Sequence, residues 1–420
     1  MNTERSLEID INVDKNTICF PYNLNLSGKH FSDKIVVEYD FKLDLDDRQI
    51  CLIKMGMAIF LSQLFLLNKI IVLNGIDRRL INNCKKIIKL LYNIRNYEEK
   101  TNIVFPEILG VKTFSEYLKK NNSFFNKKVI NLVSGGKDST VSSILLDRNG
   151  YDITNCYIED INISSSSSEL SACKHIFNNL KFIKIKGFKT LLIIACSISS
   201  CIGRPPNYNY IPRGRDLLSV LFVLPFAIHL KANYISFSCE RDLWINNIKG
   251  QFGFIPIHDT QSELLVIEIN KIIKLICPEI NLFSPIAGIH EIKLLSWLFI
   301  KKPDIASKLS SCFYGNWCGE CSKCARYYLI QKFVNVNLIK FNKNPLKPTC
   351  DYIQKFLNGS VKNELPFRDE VIFLLQNIPD IRCYFDKKQI DILNNYNVNS
   401  KKLFKIHSAK LIPRKFRTLL

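Results

Sequence analysis

Hydrophobic and polar positions follow different periods in the first and middle parts of the chain. Before residue 123, a strand-like stretch at Lys34–Phe41 precedes two stretches with helical periodicity, Ile53–Leu67 and Leu80–Asn96. The pair Asn74-Gly75 between those stretches predicts a turn. Residues 1–122 are therefore predicted to form an α+β domain. No residues in this part are spaced like those of a catalytic motif. We therefore expect this domain to shape the substrate site or to serve in packing.

From Lys127 onward the pattern alternates between strand-like and helix-like segments. The predicted strands are Lys128–Val133, Ile153–Ile158, Phe182–Ile185 and Tyr234–Phe237, and the predicted helices are Ser139–Asp147, Glu169–Leu180, Asp216–Leu230 and Glu263–Ile276. Such alternation is typical of an α/β domain with a mostly parallel sheet. We predict this domain over residues 123–330, followed by a mostly helical C-terminal region over residues 331–420.

Three apolar runs resemble membrane spans at first sight: Ile53–Leu73, Leu191–Ala195 and Leu217–Leu230. Polar and charged residues interrupt the longest run, and the other two are too short to cross a bilayer. All three are therefore interpreted as buried core elements, with no membrane contact. The start of the chain, Met1–Asp10, is acidic and lacks the apolar segment of a secretory signal, which predicts a cytoplasmic protein.

The formal net charge of +20 makes nucleic acid a conceivable partner, because Lys and Arg neutralise phosphates. Lys, Asn and Ile are abundant throughout the chain, however, and an AT-rich coding sequence produces that composition without selection. A solvated basic helix also explains the segment Lys401–Leu420, which has no acidic residue, better than an RNA-binding tail does. We therefore do not favour a nucleic-acid partner, and no motif predicts an oligomeric state.

The most informative motif is V-S-G-G-K-D-S-T at Val133–Thr140, between a predicted strand and a predicted helix. Gly135 and Gly136 permit a backbone path that points successive N–H groups into a concavity, which the positive end of the helix also faces. Donors suited to phosphate oxygens come from Ser134, Lys137, Ser139 and Thr140. The spacing differs from that of the Walker-type phosphate loop. The motif therefore predicts an anion site of another kind.

A second motif is a cluster of four of the fifteen cysteines, in the pattern C-x5-C-G-E-C-S-K-C. Cys312, Cys318, Cys321 and Cys324 could close a tetrahedral Zn²⁺ site on a short loop. Such a site is structural, because four thiolates leave no coordination position open. An iron–sulfur cluster would use the same thiolates, and unliganded thiols are the third alternative.

A weaker motif pairs P-R-G-R-D at Pro212–Asp216 with C-E-R-D at Cys239–Asp242. Arg213 and Arg215 are candidates to clamp a triphosphate or a substrate carboxylate, and Glu240 or Asp242 to hold Mg²⁺ or polar substrate groups. Surface ion pairs explain these residues almost as well. Isolated titratable residues that could line a cleft, without an assigned role, are His258, Asp259, Glu263, His290 and Glu291.

The six residues Ser134–Ser139 resemble the S-G-G-x-D-S signature of the PP-loop ATP pyrophosphatases, a superfamily with an adenine nucleotide alpha-hydrolase-like fold. This resemblance implies a Rossmann-like domain in which the loop binds the pyrophosphate of ATP while the bond between the α and β phosphates breaks. It also implies that Lys137 and Asp138 act in catalysis and that Asp138 and Ser139 lie at a Mg²⁺–phosphate site. Backbone near Cys156–Ile158 would cradle the adenine.

Two families of this class share further motifs with the chain. Residues 127–330 look like 7-cyano-7-deazaguanine synthases in the loop, the G-R-D helix start and the cysteines, but those enzymes begin almost at the loop. The whole layout is similar to the UDP-N-acetylmuramoyl-L-alanyl-L-glutamate epimerase family. That similarity rests on a preceding domain and on phrases at Phe283–Leu295, Ser311–Cys324 and Leu365–Glu370.

Both resemblances imply adenylation of a small-molecule carboxylate with release of pyrophosphate. The leading expectation is an epimerase of the terminal glutamate of a UDP-muramoyl dipeptide, with ATP, Mg²⁺ and Zn²⁺ as cofactors. One alternative is a deazaguanine synthase-like or tRNA-base modifying enzyme. The other is a non-catalytic zinc scaffold that binds a nucleotide.

Overall fold

The computed structural model describes residues 4–99, 105–112, 125–159, 166–197, 214–244, 247–250, 253–256, 261–312, 315–345 and 367–407. Within these ranges the protein is an α/β structure built on one large mixed sheet of eleven strands. The sheet strands are β1 (Arg5–Ile9), β2 (Asn12–Asp14), β3 (Thr17–Leu26), β4 (Lys29–Glu38), β5 (Lys69–Asp77), β6 (Glu107–Lys112), β7 (Phe125–Leu132), β8 (Asp152–Glu159), β9 (Leu180–Lys186), β10 (Ala232–Ser236) and β13 (Asn281–Phe283). A separate hairpin pairs β11 (Asn247–Gly250) with β12 (Gly253–Pro256).

Helices pack around this sheet and form the described C-terminal part of the chain. They are α1 (Asp47–Phe65), α2 (Arg78–Glu99), α3 (Lys137–Arg148), α4 (Ser166–Ile176), α5 (Phe188–Ser197), α6 (Arg215–His229), α7 (Arg241–Trp244), α8 (Glu263–Ile276), α9 (Glu291–Lys301), α10 (Pro303–Ala306), α11 (Ser322–Phe333), α12 (Arg368–Asn377), α13 (Pro379–Arg382), α14 (Lys387–Asn395) and α15 (Ser400–Phe404). The α/β class and the helical character of the described C-terminal part agree with the prediction. The strands and helices predicted between residues 127 and 276 are all present, with ends shifted by a few residues.

The strands run in the order β13-β10-β7-β8-β9-β4-β3-β1-β5-β6, and β2 pairs with β3. The five strands from β13 to β9 are mutually parallel. From β7 the chain first moves to β8 and β9 on one side, and later to β10 and β13 on the other side. Ligands of open α/β sheets bind where the strand order reverses in this way, outside the carboxyl ends of the strands. In this protein that position is the end of β7.

The N-terminal part contributes more strands than its sequence pattern predicted. One strand was expected there, at Lys34–Phe41, whereas six of the described strands precede β7. Antiparallel pairing of β4 with β9 joins these strands to the parallel part in one continuous sheet. The predicted domain limits at residues 122 and 330 remain predictions.

The pair Asn74-Gly75 falls between helices α1 and α2, as expected, but it lies inside strand β5 and does not form a simple turn. Both residues have positive φ angles, +56° and +79°, and the pairing of β5 with β6 shifts register between Ile71 and Ile76. The two residues therefore form an irregularity within a strand. Asn and Gly tolerate the left-handed conformation that such an irregularity requires.

Helix α1 is the one helix, among the residues that the structure describes, that is long and apolar enough to cross a membrane. Of the most apolar stretch of 18 residues in α1, 89% is buried in the fold. At Gly56 of α1, an added Cβ atom would lie 2.1 Å from Leu221 Cδ1 of α6, so a larger residue would require the Leu221 side chain to move. Burial of this kind is that of a core helix in a soluble protein. The predicted cytoplasmic location remains a prediction.

Candidate functional site

The glycine-rich loop connects β7 to α3 at the point where the strand order reverses. Gly135 has a φ of +71°, and a Cβ atom there would lie 2.7 Å from Ala172 Cβ and 2.9 Å from the Glu169 carbonyl oxygen in α4. The Ser310 N–H donates to the Gly135 carbonyl oxygen at 2.9 Å. Gly136 is the N-cap residue of α3 and has no side chain to cap it. Local conformation and tertiary contacts therefore both require glycine in this loop.

Replacement of Gly135 by Ala should lower the free energy of unfolding by about 2–5 kcal/mol. The left-handed backbone costs an L-residue about 1–2 kcal/mol, and forcing a methyl group against α4 adds about 1–3 kcal/mol. Gly150→Ala is the matched control, because Gly150 has a φ of +66° but no atom within 4 Å of the place that a methyl group would take. Chemical unfolding of both variants measures the difference. Equal losses would mean that the contact with α4 is unimportant.

A cleft opens at the carboxyl ends of β7, β8 and β10, and it brings several predicted residues together. Ser134, Asp138 and Ser139 line it from the loop and α3, and Arg215 lines it from the first turn of α6. Tyr157 and Ile158 of β8, which belong to the predicted adenine cradle, lie in the same wall. The cleft therefore brings together four of the predicted nucleotide-binding residues, whereas Gly135, Gly136, Lys137 and Thr140 do not line it.

Two buried polar atoms in the cleft wall have no hydrogen-bond partner within the described part of the chain. They are Asp216 Oδ2 and Ser238 Oγ. A buried polar atom without a partner costs about 1–3 kcal/mol. A ligand that carries hydroxyl or amino groups would satisfy both atoms.

The hydroxyl groups that follow the loop are engaged with its backbone. Thr140 Oγ1 donates to the Gly136 carbonyl oxygen at 2.8 Å, and the Thr140 side chain is buried. Ser139 Oγ lies 3.4 Å from both the Ser134 N–H nitrogen and the Gly136 carbonyl oxygen. Thr140 therefore fixes the loop, whereas Ser139 also faces the cleft.

Lys137 is directed into a buried group of carboxylates. Its Nζ lies 3.0 Å from Asp138 Oδ1, 2.9 Å from Glu240 Oε2 and 3.1 Å from Glu291 Oε1. Only 6% of the Lys137 side chain and 1% of each Glu side chain is exposed, but 28% of the Asp138 side chain is. Asp138 thus connects the cleft to the buried ion-pair network.

For Lys137 and Glu291, burial and the neighbouring charges shift the pKa in opposite directions. Burial would lower the pKa of Lys137, but Asp138, Glu240 and Glu291 raise the pKa well above its usual value. Burial would raise the pKa of Glu291, but Arg326 and Lys137 outweigh it and lower the pKa to about 2. Burial and the neighbouring Asp138 raise the pKa of Glu240 well above its ordinary value, and Lys137 offsets this only in part.

Arg326 of α11 completes the network and was not singled out by the sequence. Its Nε donates to Glu291 Oε2 at 2.5 Å, and its guanidinium carbon lies 4.0 Å from the centre of the Phe367 ring. The sequence offered no motif for this pair, because 35 positions separate Arg326 from Glu291. The one sequence feature that could have indicated a buried ion pair was an arginine on the buried face of a predicted helix.

The four predicted cysteines converge at the start of α11 and could hold a metal ion such as zinc. Sulfur–sulfur distances are 3.9 Å for Cys312 and Cys321, 3.8 Å for Cys318 and Cys324, and 3.5 Å for Cys321 and Cys324. A tetrahedral Zn²⁺ with bonds of about 2.3 Å holds its sulfurs about 3.8 Å apart. The spacing fits one ion, since a multi-iron cluster would separate the sulfurs further.

The cysteine cluster lies directly behind the glycine-rich loop. Ser310 and Ser311, which precede Cys312, contact Gly135 and Gly136. Tyr327 of α11 donates its hydroxyl to Ser311 Oγ at 2.9 Å. A metal ion held by the cysteines would therefore stabilise the segment against which the loop rests.

A second group of possible metal ligands consists of Asp242, His290 and Glu370. His290 Nδ1 lies 2.8 Å from Asp242 Oδ1 and 3.7 Å from Glu370 Oε1. His290 is the N-cap residue of α9, Asp242 lies in α7 and Glu370 in α12. Among the other candidates, Glu263 begins α8, while Arg213, His258 and Asp259 lie outside the described residues.

Comparison with known families gives one match. Residues 275–411 match the model of DUF6395, a family of unknown function. The match covers about a third of the chain and contains the four cysteines, His290, Arg326 and Glu370, whereas β7 and the glycine-rich loop precede it. The search of curated proteins returned no match.

Proposed function

We propose that the protein is an ATP-dependent enzyme that adenylates a carboxylate and releases pyrophosphate. The observation that carries this proposal is the position of the S-G-G-K-D-S loop at the strand-order reversal, with Ser134, Asp138, Ser139 and Arg215 in one cleft. Its resemblance to the PP-loop ATP pyrophosphatases supports cleavage between the α and β phosphates. On this proposal the domain is of the PP-loop, Rossmann-like kind.

The roles of the cleft residues follow from the charge that develops on the departing pyrophosphate. Backbone N–H groups at the start of α3, together with Ser134 and Ser139, are suited to phosphate oxygens. Asp138 is the group that would hold Mg²⁺, which neutralises phosphate charge when bound. Arg215 provides a cation for a phosphate or for the substrate carboxylate.

Lys137 acts in this proposal by positioning Asp138 rather than by contacting phosphate. Its ammonium group is buried and surrounded by three carboxylates, so moving it into the cleft would leave Glu240 without this cation and Glu291 with Arg326 alone. A buried carboxylate that loses its cation is strongly unfavourable. The ion pair with Lys137 also holds the Asp138 side chain at the mouth of the network, where Mg²⁺ would bind.

The substrate proposal rests on the layout of the chain. Similarity to UDP-N-acetylmuramoyl-L-alanyl-L-glutamate epimerases favours the terminal glutamate of a UDP-muramoyl dipeptide, whose α-carboxylate would be activated so that the α proton becomes more acidic. The cysteine motif and the basic charge favour a deazaguanine carboxylate, or a tRNA base, as the alternative. The second alternative is a zinc-containing scaffold protein that binds a nucleotide and catalyses no reaction.

The experiment is a product analysis with ATP, Mg²⁺ and a panel of carboxylates that includes the UDP-muramoyl dipeptide and carboxydeazaguanine. We expect AMP and pyrophosphate in equal amounts with the true substrate, and incorporation of labelled pyrophosphate into ATP in its presence. Asp138→Asn should reduce both by about 100-fold or more, because the group that would hold Mg²⁺ and stabilise charge is lost. Production of ADP and phosphate would contradict the proposal.

The matched control is Asp147→Asn at the other end of α3. Asp147 is exposed, and its replacement by the same residue type leaves the loop untouched. Its product yield should equal that of the unmodified protein. Nucleotide binding without any turnover, across the whole panel, would instead favour the scaffold alternative.

A further inference from the structure

We propose that Asp242, His290 and Glu370 bind a divalent first-row transition-metal ion, at a site separate from the four cysteines. One imidazole and two carboxylates form a ligand set that suits ions such as Mn²⁺, Fe²⁺ or Zn²⁺. A donor atom of each residue lies within 4.8 Å of the donor atoms of the other two. The three residues come from α7, α9 and α12, so only the tertiary structure brings them together.

The distances leave room for one ion with small side-chain movements. Two ligand atoms with bonds of about 2.0–2.2 Å to the same ion lie about 3.0–3.5 Å apart. The observed separations of 2.8 Å for His290 Nδ1 and Asp242 Oδ1, and 3.7 Å for His290 Nδ1 and Glu370 Oε1, bracket that range. A hydrogen bond joins His290 Nδ1 and Asp242 Oδ1, and a bound ion would replace it.

Each carboxylate accepts a backbone N–H through one oxygen, and that hydrogen bond fixes its orientation. Asp242 Oδ2 accepts the Glu291 N–H at 3.1 Å, and Glu370 Oε1 accepts the Ile292 N–H at 3.0 Å. Glu370 Oε2 is buried and has no hydrogen-bond partner among the described residues, and only 2% of the Glu370 side chain is exposed. Backbone donors that orient metal-binding carboxylates in this way are typical of metal sites.

The charge of the surrounding network also calls for a cation. Five carboxyl groups meet here, from Asp138, Glu240, Asp242, Glu291 and Glu370, and among the described residues Lys137 contacts three of them and Arg326 contacts Glu291. The acidic groups outnumber these two cations by three, so protons on the carboxyl groups or a bound cation can offset the surplus. Arg241 faces Asp242 and Glu263, and Lys323 faces Glu169 and Asp138, so these two cations and the two further acidic groups leave the surplus unchanged.

Three protein ligands would leave coordination positions open for water or for a ligand. The His290 side chain is 14% exposed, so the site reaches the edge of the protein interior. Open positions distinguish this site from the closed four-cysteine site. The neighbour of His290, Glu291, binds Lys137, which in turn binds Asp138. Occupancy of the metal site would therefore influence the charge balance behind the glycine-rich loop.

The test is a Co²⁺ titration of full-length protein whose cysteine site has first been filled with Zn²⁺, in the absence of nucleotide. We expect one further equivalent of Co²⁺ to bind, without the thiolate-to-cobalt absorption that a cysteine site produces, and to raise the unfolding temperature. Because no ATP is present, the result does not depend on the proposed adenylation. Unmodified protein that binds no Co²⁺ beyond the cysteine site would overturn the proposal.

Glu370→Gln should weaken this second binding by about 100-fold or more, while the protein stays folded. Gln keeps an acceptor for the Ile292 N–H, so a purely structural role of Glu370 would be preserved in this variant. Asp242→Asn gives the same test at a second ligand. His175→Asn, at an exposed histidine in the last turn of α4, should bind Co²⁺ as the unmodified protein does. Unchanged Co²⁺ affinity in both ligand variants would also overturn the proposal.

Discussion

Protein in which Cys321 and Cys324 are both replaced by Ser should purify without the zinc that we expect in the unmodified protein, and its cysteine segment should unfold. The four sulfurs lie 3.5–3.9 Å apart in the pairs that contact one another. Structural zinc contributes on the order of 10 kcal/mol to the folding of small zinc-binding peptides. In the described part of the segment between Cys312 and α11, Trp317 packs on Tyr327 and Phe341, and backbone hydrogen bonds join Trp317 and Cys318 to Asn342 and Lys343. This part of the segment contains no helix or strand of its own, so we expect it to loosen without the ion.

The effect should extend to the glycine-rich loop. Ser310 donates its N–H to Gly135, and Trp317 Nε1 donates to the Leu309 carbonyl oxygen at 3.0 Å. Loss of the ion should therefore weaken nucleotide binding as well as lower the unfolding temperature. Elemental analysis, circular dichroism on heating and a nucleotide-binding titration measure the three effects.

Cys383→Ser is the control for this prediction. Cys383 is exposed and lies outside the cluster, after α13. That variant should retain about one zinc at the cysteine site and the stability of the unmodified protein. A double cysteine variant that is metal-free and yet as stable as the control would show that the cluster holds no structural ion.

Replacement of Lys137 by Met should destabilise the protein by about 3–5 kcal/mol, because it leaves buried carboxylates without their shared cation. Met has a similar length and removes the charge with little change of volume. Glu240, which is 1% exposed, would then face Asp138 without the lysine, and Glu291 would keep only its pair with Arg326. Chemical unfolding at neutral pH measures the loss.

Lys128→Met is the matched control, since Lys128 forms an ion pair with Asp152 that is largely open to solvent. Their side chains are 21% and 71% exposed, and the charged atoms lie 3.6 Å apart. Such a pair is worth about 0–1 kcal/mol. Glu240→Gln should restore part of the stability lost in Lys137→Met, as a double-mutant cycle would show. Equal losses at positions 137 and 128, with no rescue, would contradict the account of the network.

Much of the α/β part could be predicted from the sequence because its elements have strong local patterns. The predicted helix Glu263–Ile276 has the observed bounds of α8, and the strand–loop–helix at β7 and α3 was predicted within two or three residues at each end. The N-terminal strands were largely missed. In β3 the buried residues Ile18, Phe20, Tyr22, Leu24 and Leu26 alternate with more exposed ones, which is a strand pattern.

The candidate site was predictable only where its residues are contiguous. The loop Ser134–Ser139 and the four cysteines each lie within a short stretch, and the structure places each set together. From the sequence, Glu240 and Asp242 were candidates to hold Mg²⁺ or polar substrate groups, and His290 and Glu291 were noted without an assigned role. Their pairing with Lys137, Arg326 and Glu370 joins segments that are far apart in the sequence.

The sequence by itself determined the glycine-rich loop and the cysteine cluster, because turn geometry and ligand spacing are encoded by neighbouring residues. Tertiary structure decided which way the loop lysine points. Lys137 follows two glycines that suggest a phosphate ligand, but crossovers of the sheet bring Glu240 and Glu291 within ion-pair distance of its Nζ. In the low-dielectric interior, the attraction between these charges is stronger than it would be in water. The same crossovers assemble Asp242, His290 and Glu370, since a metal-binding geometry built from three helices has no local pattern in the chain.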